Sequence, residues 1–174
     1  MRKAKQQITK TFIVLGMHRS ATSLIAKSLS KEICLGSNFL PPSPINPKGF
    51  FEDRDFVKLN DRILNKAGGS WQKPPPEESI VRLAPTFGPR IALLLEDKFC
   101  DETFYGWKDP RTTLTIRLYL PYLKNPHFIS CFREPDEVAK SLVAVGGFTL
   151  ESAKELTKIY NQRLLKFLTE FTNK

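Results

Sequence analysis

The sequence contains few cysteines and few histidines, and their spacing argues against a disulfide-stabilised domain and against a zinc-binding domain. The three cysteines, Cys34, Cys100 and Cys131, include no C-x-x-C pair. An odd number of isolated thiols argues for free or buried cysteines in a reducing compartment rather than for a disulfide framework. The two histidines, His18 and His127, lie far apart, and no Cys/His spacing fits zinc. We therefore predict no metal site.

The sequence also lacks a long apolar run. After the basic start at residues 1–10, only a short apolar stretch precedes His18, and it is too short for a signal peptide. No segment approaches the length of a membrane span. We therefore predict a cytoplasmic protein without a membrane span.

The charge of the chain is unbalanced toward the basic side. Its 174 residues include 27 Lys and Arg against 18 Asp and Glu, which gives a net charge of +9. Such an excess attracts nucleic acid, acidic membranes or a polyanionic cofactor. The basic and aromatic stripe of nucleic-acid-binding modules is missing, so we predict no nucleic-acid partner. Because 41% hydrophobic residues suffice for one core, we predict a basic extension over residues 1–10 and a single domain over residues 11–174.

Residues 11–24 form the most informative segment, in which an apolar strand breaks into a small basic turn and then a helix. Backbone N–H groups at such a helix start bind anions, and the helix dipole assists them. The nucleotide-triphosphatase motif G-x-x-x-x-G-K-[ST] is absent, because Ala21 replaces its second glycine and no Gly-Lys pair follows. The loop instead offers Arg19 as a cation and Thr22 and Ser23 as hydroxyls. Taken alone, it also fits an ordinary strand–turn–helix with a stray arginine.

The strands predicted over residues 104–107 and 128–132 are also followed by basic residues. Lys108 follows the first and Arg133 the second, and in both segments a proline lies next to the start of a helix. Ligands of open α/β sheets bind outside the carboxyl ends of the strands. We therefore predict that Arg19, Lys108, Arg111 and Arg133 converge on one cleft. Four cations imply a ligand with more than one anionic group.

The alternation of apolar runs and helical patterns predicts an α/β fold. Strands are predicted over residues 11–16, 33–35, 104–107 and 128–132. Helices are predicted over residues 21–31, 53–65, 88–99, 112–123, 136–144 and 150–172. The proline-rich residues 39–51 are predicted to form a loop that covers the site.

At these positions the chain resembles the sulfotransferases that use 3′-phosphoadenosine 5′-phosphosulfate (PAPS), in particular their prokaryotic-type members. The loop at residues 16–23 resembles the family's 5′-phosphosulfate loop, and Arg133 with Ser141 is similar to its 3′-phosphate clamp. Further similarity lies in residues 46–53, in Asn60, Asp61 and Trp71, and in residues 108–111. The resemblance runs from about residue 11 to about residue 165.

The resemblance implies a three-layer P-loop-like fold with a mostly parallel central sheet and helices on both faces. It implies PAPS as the donor, 3′,5′-ADP as the product, and a hydroxyl of a small molecule, a carbohydrate or a lipid as the acceptor. It assigns cofactor binding to Gly16, His18, Arg19, Ser20, Ala21, Thr22, Ser23, Arg133 and Ser141.

The chain departs from the family pattern at three places. His18 stands where relatives often carry proline or another residue, and Ala21 replaces the usual glycine. Because a methyl group is unfavourable where the backbone needs positive φ or approaches phosphate closely, we expect weaker cofactor binding. Members of the family usually continue past the helix predicted over residues 150–172. We therefore expect that this chain lacks the usual C-terminal portion.

The chemistry of sulfonyl transfer suggests roles for individual residues. Negative charge moves onto the oxygen that bridges sulfur and the 5′-phosphate, and a fixed cation there stabilises the transition state. Arg19 is the first choice for that cation and Lys108 is the second. A hydroxyl acceptor needs a base, for which Glu52 at the end of the 39–51 loop is preferred.

Three more residues are predicted at the substrate: Asp53, Asp109 and Arg111. For Asp53, capping of the following helix is the competing and favoured explanation. Asp109 is predicted to orient Lys108 or Arg111 through an ion pair rather than to take part in catalysis.

Two alternative functions stay open. A P-loop kinase or hydrolase needs Gly-Lys-Ser/Thr and a strand that ends in Asp to hold Mg²⁺, whereas the late strand here leads to Arg133. A nucleotide- or polyanion-binding module without catalysis would use the same cations.

Overall fold

The protein is an α/β chain with a three-stranded parallel sheet and seven α-helices over the described residues. This computed structural model describes residues 9–44, 46–47 and 49–172. Most of the basic extension predicted over residues 1–10 therefore lies outside the described residues. Within the described part of the chain, no helix is both long and apolar enough to cross a membrane.

The strands are β1 (Lys10–Gly16), β2 (Phe104–Lys108) and β3 (Pro126–Cys131). They lie in the order β2-β1-β3, and both pairings are parallel. Val14 pairs with Lys108 and Gly16 pairs with Cys131, so the carboxyl ends of all three strands meet at one edge. The strand predicted over residues 33–35 is reduced to an isolated parallel bridge between Cys34 and Tyr105.

Six of the seven α-helices of the described residues correspond to predicted ones, and all but the last of these have shifted ends. Their bounds are α1 (Thr22–Leu29), α2 (Arg54–Lys66), α3 (Glu77–Val81), α4 (Ala84–Phe99), α5 (Thr112–Tyr119), α6 (Pro135–Val145) and α7 (Leu150–Thr172). A short 3-10 helix at Leu120–Tyr122 ends the segment that was predicted as one helix over residues 112–123.

One helix prediction was wrong at its start, and one helix was not predicted. α4 starts before the predicted residue 88 and keeps Pro89 in its interior, although Gly-Pro is typical of a helix boundary. α3 was not predicted at all, because its five residues are too few for a periodic pattern. The predicted bounds of the last helix, residues 150–172, are confirmed.

The core lies between the sheet and the helices that pack on it. The Phe56 ring of α2 stacks on Trp107 of β2 at 4.6 Å between centroids, with only 10° between the ring planes. Phe128 of β3 meets the edges of Phe167 and Phe171 of α7 at 4.9 and 4.8 Å. These contacts fix the strands, and with them the three carboxyl ends at which the site lies.

Close packing within the sheet explains one glycine. A Cβ atom at Gly106 of β2 would lie 1.8 Å from the Phe12 carbonyl oxygen of β1. The two strands could not keep their pairing with a larger residue at this position.

Candidate functional site

The loop between β1 and α1 begins with a tightly held backbone. Gly16 has a φ of +150°, and a Cβ atom there would lie 2.6 Å from the Cys131 carbonyl oxygen at the end of β3. The Thr113 hydroxyl accepts a 2.9 Å hydrogen bond from the Gly16 N–H and lies 3.3 Å from the Gly16 carbonyl oxygen. The start of α5 therefore anchors the start of the loop.

Further along, the loop contains two non-glycine residues in left-handed backbone conformation. Arg19 has a φ of +68°, and Ala21 has a φ of +63°. Such a conformation is unfavourable for L-residues and costs about 1 kcal/mol or more each. Of the two conditions named for Ala21, positive φ and close approach to phosphate, the structure shows the first, and the weaker cofactor binding stays a prediction. Ala21 directly precedes α1, and no side chain caps this helix start.

A cavity of about 290 Å³ opens beside this loop at the carboxyl ends of the strands. Among the described residues it is lined by His18, Arg19, Ala21, Thr22, Ser23, Asn46, Phe50, Glu52, Lys108, Pro110 and Arg133. Three of these side chains are cationic and one is a carboxylate. The lining therefore carries a surplus of positive charge beside the N-terminus of a helix, which suits an anionic group.

Lys108 lies at the floor of this cavity and is only 2% exposed. Its Nζ donates to Glu52 Oε1 at 2.5 Å, to Ser23 Oγ at 3.1 Å and to the Phe50 carbonyl oxygen at 3.1 Å. The Ser23 hydroxyl donates to the same Phe50 carbonyl at 3.1 Å. The 39–51 loop is thus tied to β2 and α1 through its last residues.

Glu52 is buried, with 4% of its surface exposed, and faces both Lys108 and Arg111. Burial raises the pKa of Glu52, because it disfavours the charged carboxylate, and the nearby Asp109 charge adds to this rise. Lys108 and Arg111 oppose it without cancelling it. The carboxylate therefore holds a proton more readily than an exposed glutamate does.

Arg111 connects Glu52 to two further carboxylates. Its Nε donates to Asp61 at 2.7 Å, and its Nη1 lies 2.9 Å from Asp109 and 3.5 Å from Glu52. Burial disfavours its charge, yet the carboxylates of Asp109, Asp61 and Glu52 outweigh this and raise the pKa of Arg111. Of the two partners predicted for Asp109, Lys108 and Arg111, the structure shows an ion pair with Arg111, and the orienting role stays a prediction.

Below the site lies a network of buried polar side chains whose hydrogen bonds were not predicted from the sequence. Asn60 Nδ2 donates to Asp109 at 2.8 Å, while Asn60 Oδ1 accepts from the Thr115 and Tyr119 hydroxyls at 2.7 and 2.9 Å. Trp107 Nε1 donates to the Thr112 hydroxyl at 3.0 Å. A network in which each member has a partner holds its residues rigidly. The run of threonines after Arg111 was the available signal.

Arg133 and Ser141 meet at Arg19 rather than at each other. Arg19 Nε donates to Ser141 Oγ at 2.8 Å, and Arg133 Nη1 donates to the Arg19 carbonyl oxygen at 3.3 Å. The exposed Arg133 also lies 3.4 Å from Glu137 on the first turns of α6. The three residues form one corner of the site, in which Arg19 lies between the two residues of the expected clamp.

Asp53 does not face the cavity. Its carboxylate accepts from the backbone N–H groups of Ser37, Asn38 and Asp55 at 3.1, 3.1 and 2.9 Å, and Lys98 lies 3.2 Å away. The prediction that Asp53 caps the helix after it is confirmed. The placement of Asp53 at the substrate is corrected, because all of these partners lie on the far side of the loop end.

His18 lies between the cationic residues and an aromatic cluster. Its ring centroid lies 4.2 Å from Trp71 and 6.3 Å from Tyr160. Its Nε2 atom is buried without a hydrogen-bond partner among the described residues. Burial holds the pKa of His18 well below its usual range, and the positive charges of Arg111, Lys108 and Arg19 lower it further. The imidazole is therefore neutral at pH 7.

The structure brings most of the predicted residues to the cavity but leaves several outside its lining. Gly16, Ser20, Ser141, Asp53, Asp109 and Arg111 do not line it within the described part of the chain. Asp109 contacts Arg111, which in turn contacts Glu52 in the lining, and Ser141 accepts a hydrogen bond from Arg19. Gly16 begins the loop that carries the lining residues His18 and Arg19. The predicted roles of the lining residues in cofactor binding and catalysis stay predictions.

Two findings complete the description of the site. Over residues 9–44, 46–47 and 49–172, no group of three or more His, Cys, Asp or Glu side chains is arranged to hold a metal ion. Comparisons of the chain with protein-family models, with curated proteins and with solved structures give no match.

Proposed function

We propose that this protein transfers a sulfonyl group from PAPS to a hydroxyl acceptor. The observation that carries the proposal is the cavity at the strand ends, which Arg19, Lys108 and Arg133 line together with the buried carboxylate of Glu52. The resemblance of the loop and of the Arg133 segment to PAPS-dependent sulfotransferases supports it. We also propose that the parallel sheet belongs to a three-layer P-loop-like fold.

The residues present fit the anionic end of such a donor. The cavity lies beside the N-terminus of α1, which favours an anion, and Thr22 and Ser23 add hydroxyls to its lining. Arg19 and Arg133 supply charge at one corner, while Lys108 supplies it at the floor. In this proposal the 5′-phosphosulfate lies over the loop, between Arg19 and Lys108, and the 3′-phosphate lies at Arg133 and Ser141.

The proposed transfer forms a bond between the acceptor oxygen and sulfur and breaks the bond between sulfur and the bridging oxygen. The electron pair of the broken bond stays on the bridging oxygen of 3′,5′-ADP, and the acceptor proton goes to Glu52. Lys108 and Arg19 stabilise the negative charge that grows on the bridging oxygen. The raised pKa of Glu52 suits a group that must take up a proton.

Binding of nucleotides distinguishes this proposal from the alternatives. Calorimetric titration with 3′,5′-ADP, with 5′-AMP and with ATP–Mg²⁺ should show tight binding of 3′,5′-ADP alone. Tight binding of ATP–Mg²⁺ would instead support a kinase or hydrolase. Binding of 3′,5′-ADP without any sulfonyl transfer to a panel of hydroxyl compounds would support a non-catalytic module.

The Arg133→Ala substitution tests the position of the 3′-phosphate. We expect the affinity for 3′,5′-ADP to fall by roughly tenfold or more, since a charge-assisted contact is worth about 1.5–3 kcal/mol. The affinity for 5′-AMP, which lacks the 3′-phosphate, should stay nearly unchanged. Arg82→Ala, at an exposed position after α3, is the matched control and should affect neither nucleotide. Equal losses for both nucleotides would remove the 3′-phosphate from this corner.

A further inference from the structure

A second cavity of about 370 Å³ adjoins the first. Among the described residues it is lined by His18, Arg19, Leu40, Phe50, Glu52, Trp71, Gln72, Arg111, Leu142, Val145, Gly146 and Phe148. Four of these residues, His18, Arg19, Phe50 and Glu52, also line the first cavity. A molecule in the second cavity would therefore reach the same carboxylate that faces the anion site.

The two ends of this second cavity differ in chemistry. At the shared wall the groups are polar, because Arg19 and Glu52 lie there and Arg111 contacts Glu52 at 3.5 Å. The rest of the wall is largely apolar and comes from three separate segments. Its apolar side chains are Leu40, Trp71, and Leu142, Val145 and Phe148 at and after the last turn of α6, while Gln72 adds a single amide.

Two aromatic rings, those of Trp71 and Phe148, lie side by side in the apolar wall. The Trp71 ring lies 5.8 Å from Phe148 with 49° between their planes, and its other neighbour is His18 at 4.2 Å. Gly146 ends α6 with a φ of +92°, which turns the chain so that Phe148 returns toward Trp71. Half-buried rings at this spacing can contact the face or edge of another ring.

We propose that the second cavity binds the acceptor and selects one whose hydroxyl is carried by an aromatic ring or an alkyl group rather than by a sugar. The inference rests on the proposed sulfonyl transfer, to which it adds the substrate class. A hydroxyl at the shared wall meets Glu52, and the apolar body fills the space beside Trp71 and Phe148. A sugar would lose water from several hydroxyls there and regain few hydrogen bonds.

The size of the cavity agrees with a small acceptor. Pockets for small ligands span roughly 300–1,000 Å³, so this cavity lies near the lower limit of that range. A one- or two-ring phenol or an alcohol of similar size fits this space, whereas a long lipid chain would extend beyond it.

The test is calorimetric titration of 2-naphthol and of methyl glucoside into protein that is saturated with 3′,5′-ADP. We expect 2-naphthol to bind and methyl glucoside to bind at least tenfold more weakly. Phe148→Ala should weaken 2-naphthol by roughly tenfold, a change equivalent to about 1.4 kcal/mol. Phe104→Ala, at a partly exposed aromatic residue at the opposite end of β2, is the matched control and should leave this affinity unchanged.

A second variant shows whether a loss of 2-naphthol binding reflects a change in the cavity or misfolding of the protein. Val145→Phe places a larger side chain in the cavity at the half-buried end of α6. It should abolish 2-naphthol binding while 3′,5′-ADP binds as in the unmodified protein. Normal 3′,5′-ADP binding shows that a variant is folded.

The possible results separate the two proposals. If 3′,5′-ADP binds but 2-naphthol does not, the acceptor proposal is overturned and the sulfotransferase proposal stands. The same conclusion follows if 2-naphthol binds to both cavity variants as tightly as to the unmodified protein. Equal or tighter binding of methyl glucoside also overturns the acceptor proposal. If the unmodified protein does not bind 3′,5′-ADP, the proposed function itself fails, and the acceptor role fails with it.

Discussion

At the scale of single residues, the site depends on ionisable groups whose charges are coupled through burial. Glu52 and Lys108 are both nearly inaccessible, and 2.5 Å separates their charged atoms. Removing one partner of a buried pair leaves the other charge uncompensated, at a cost of roughly 3–5 kcal/mol. Any substitution of Glu52 must therefore be evaluated for folding as well as for catalysis.

The Glu52→Gln substitution should separate the contribution of Glu52 to catalysis from its contribution to folding. It keeps the shape of the side chain and removes the base, so we expect sulfonyl transfer to fall by roughly 10²–10⁴-fold. Binding of 3′,5′-ADP, measured by calorimetry, should survive. Asp61→Asn is the control, because Asp61 also holds Arg111 but does not line the first cavity. An equal loss of activity in both variants would show that Glu52 acts only by positioning Arg111.

His18 should make the stability of the protein depend on pH. Its pKa lies below the usual value of 6.5, so below pH 6.5 the unfolded chain binds a proton that the folded protein resists. The free energy of unfolding should therefore fall as the pH is lowered from 6.5, by up to about 1.4 kcal/mol per pH unit from this group.

Chemical denaturation of the unmodified protein and of His18→Gln between pH 8 and pH 5.5 measures this contribution. The variant should lose less stability across that interval, and the measurement at pH 8, where histidine is neutral in both states, serves as the internal reference. Parallel curves for the two proteins would show that His18 takes up its proton as readily in the folded state as in the unfolded one.

At the scale of elements, the start of α2 illustrates a side chain that serves packing rather than chemistry. Asp53 is fully buried, accepts three backbone hydrogen bonds and lies 3.2 Å from Lys98. It therefore fixes the end of the 39–51 loop to the segment around residues 37–38. Glu52, the preceding residue in the chain, owes its inward direction to this attachment.

Asp53→Asn should lower the free energy of unfolding by about 1–3 kcal/mol, since it removes the charge that the cap hydrogen bonds and Lys98 stabilise. Thermal and urea denaturation measure this loss. Asp55→Asn is the matched control, because Asp55 shares Lys98 at 2.6 Å but is partly exposed, so its loss should stay below about 1 kcal/mol. Equal losses would indicate that the pairing with Lys98, and not the cap, carries the stability.

Elements with a strong periodic pattern were predictable from the sequence, and those fixed by distant contacts were not. The last helix combines a long pattern with no internal proline or glycine, and its bounds match the prediction. The strand expected over residues 33–35 depends on a neighbour in β2, and only one bridge forms. The start of α4 could not be predicted, because Gly88 and Pro89 locally favour a helix boundary.

The candidate site shows the same division. Basic residues at strand ends were predictable, because parallel strands direct their carboxyl ends to one edge. The hydrogen bond from Arg19 to Ser141 was not, since it depends on the left-handed conformation of Arg19 in the loop. The ion pair of Glu52 with Lys108 likewise depends on the path of the 39–51 loop, which no short-range pattern encodes.

At the scale of the whole molecule, ligand binding should stabilise the fold as a unit. The cavity is built by residues that follow β1, β2 and β3, so the bound nucleotide would connect all three strand ends. At 100 times its dissociation constant, a ligand specific for the folded state adds about 2.7 kcal/mol.

We expect 3′,5′-ADP at that concentration to raise the melting temperature by roughly 5–10 °C in a single transition, measured by calorimetry. The increase should shrink as NaCl rises, because charge attraction at the exposed Arg133 is screened. Adenosine at the same concentration is the control and should produce no shift. A shift that adenosine reproduces would contradict a phosphate-dependent site.

Among the three described strands, the one that is synthesised before the other two lies in the middle of the sheet. β1 is complete at Gly16, yet both of its neighbours come much later, at Phe104–Lys108 and Pro126–Cys131. During synthesis its apolar run therefore has two open edges, which is a hazard for aggregation until residue 131 has emerged. Until β3 has emerged, the nascent chain is a target for chaperones, and the anion cavity cannot form before Arg133, which follows β3, has been synthesised.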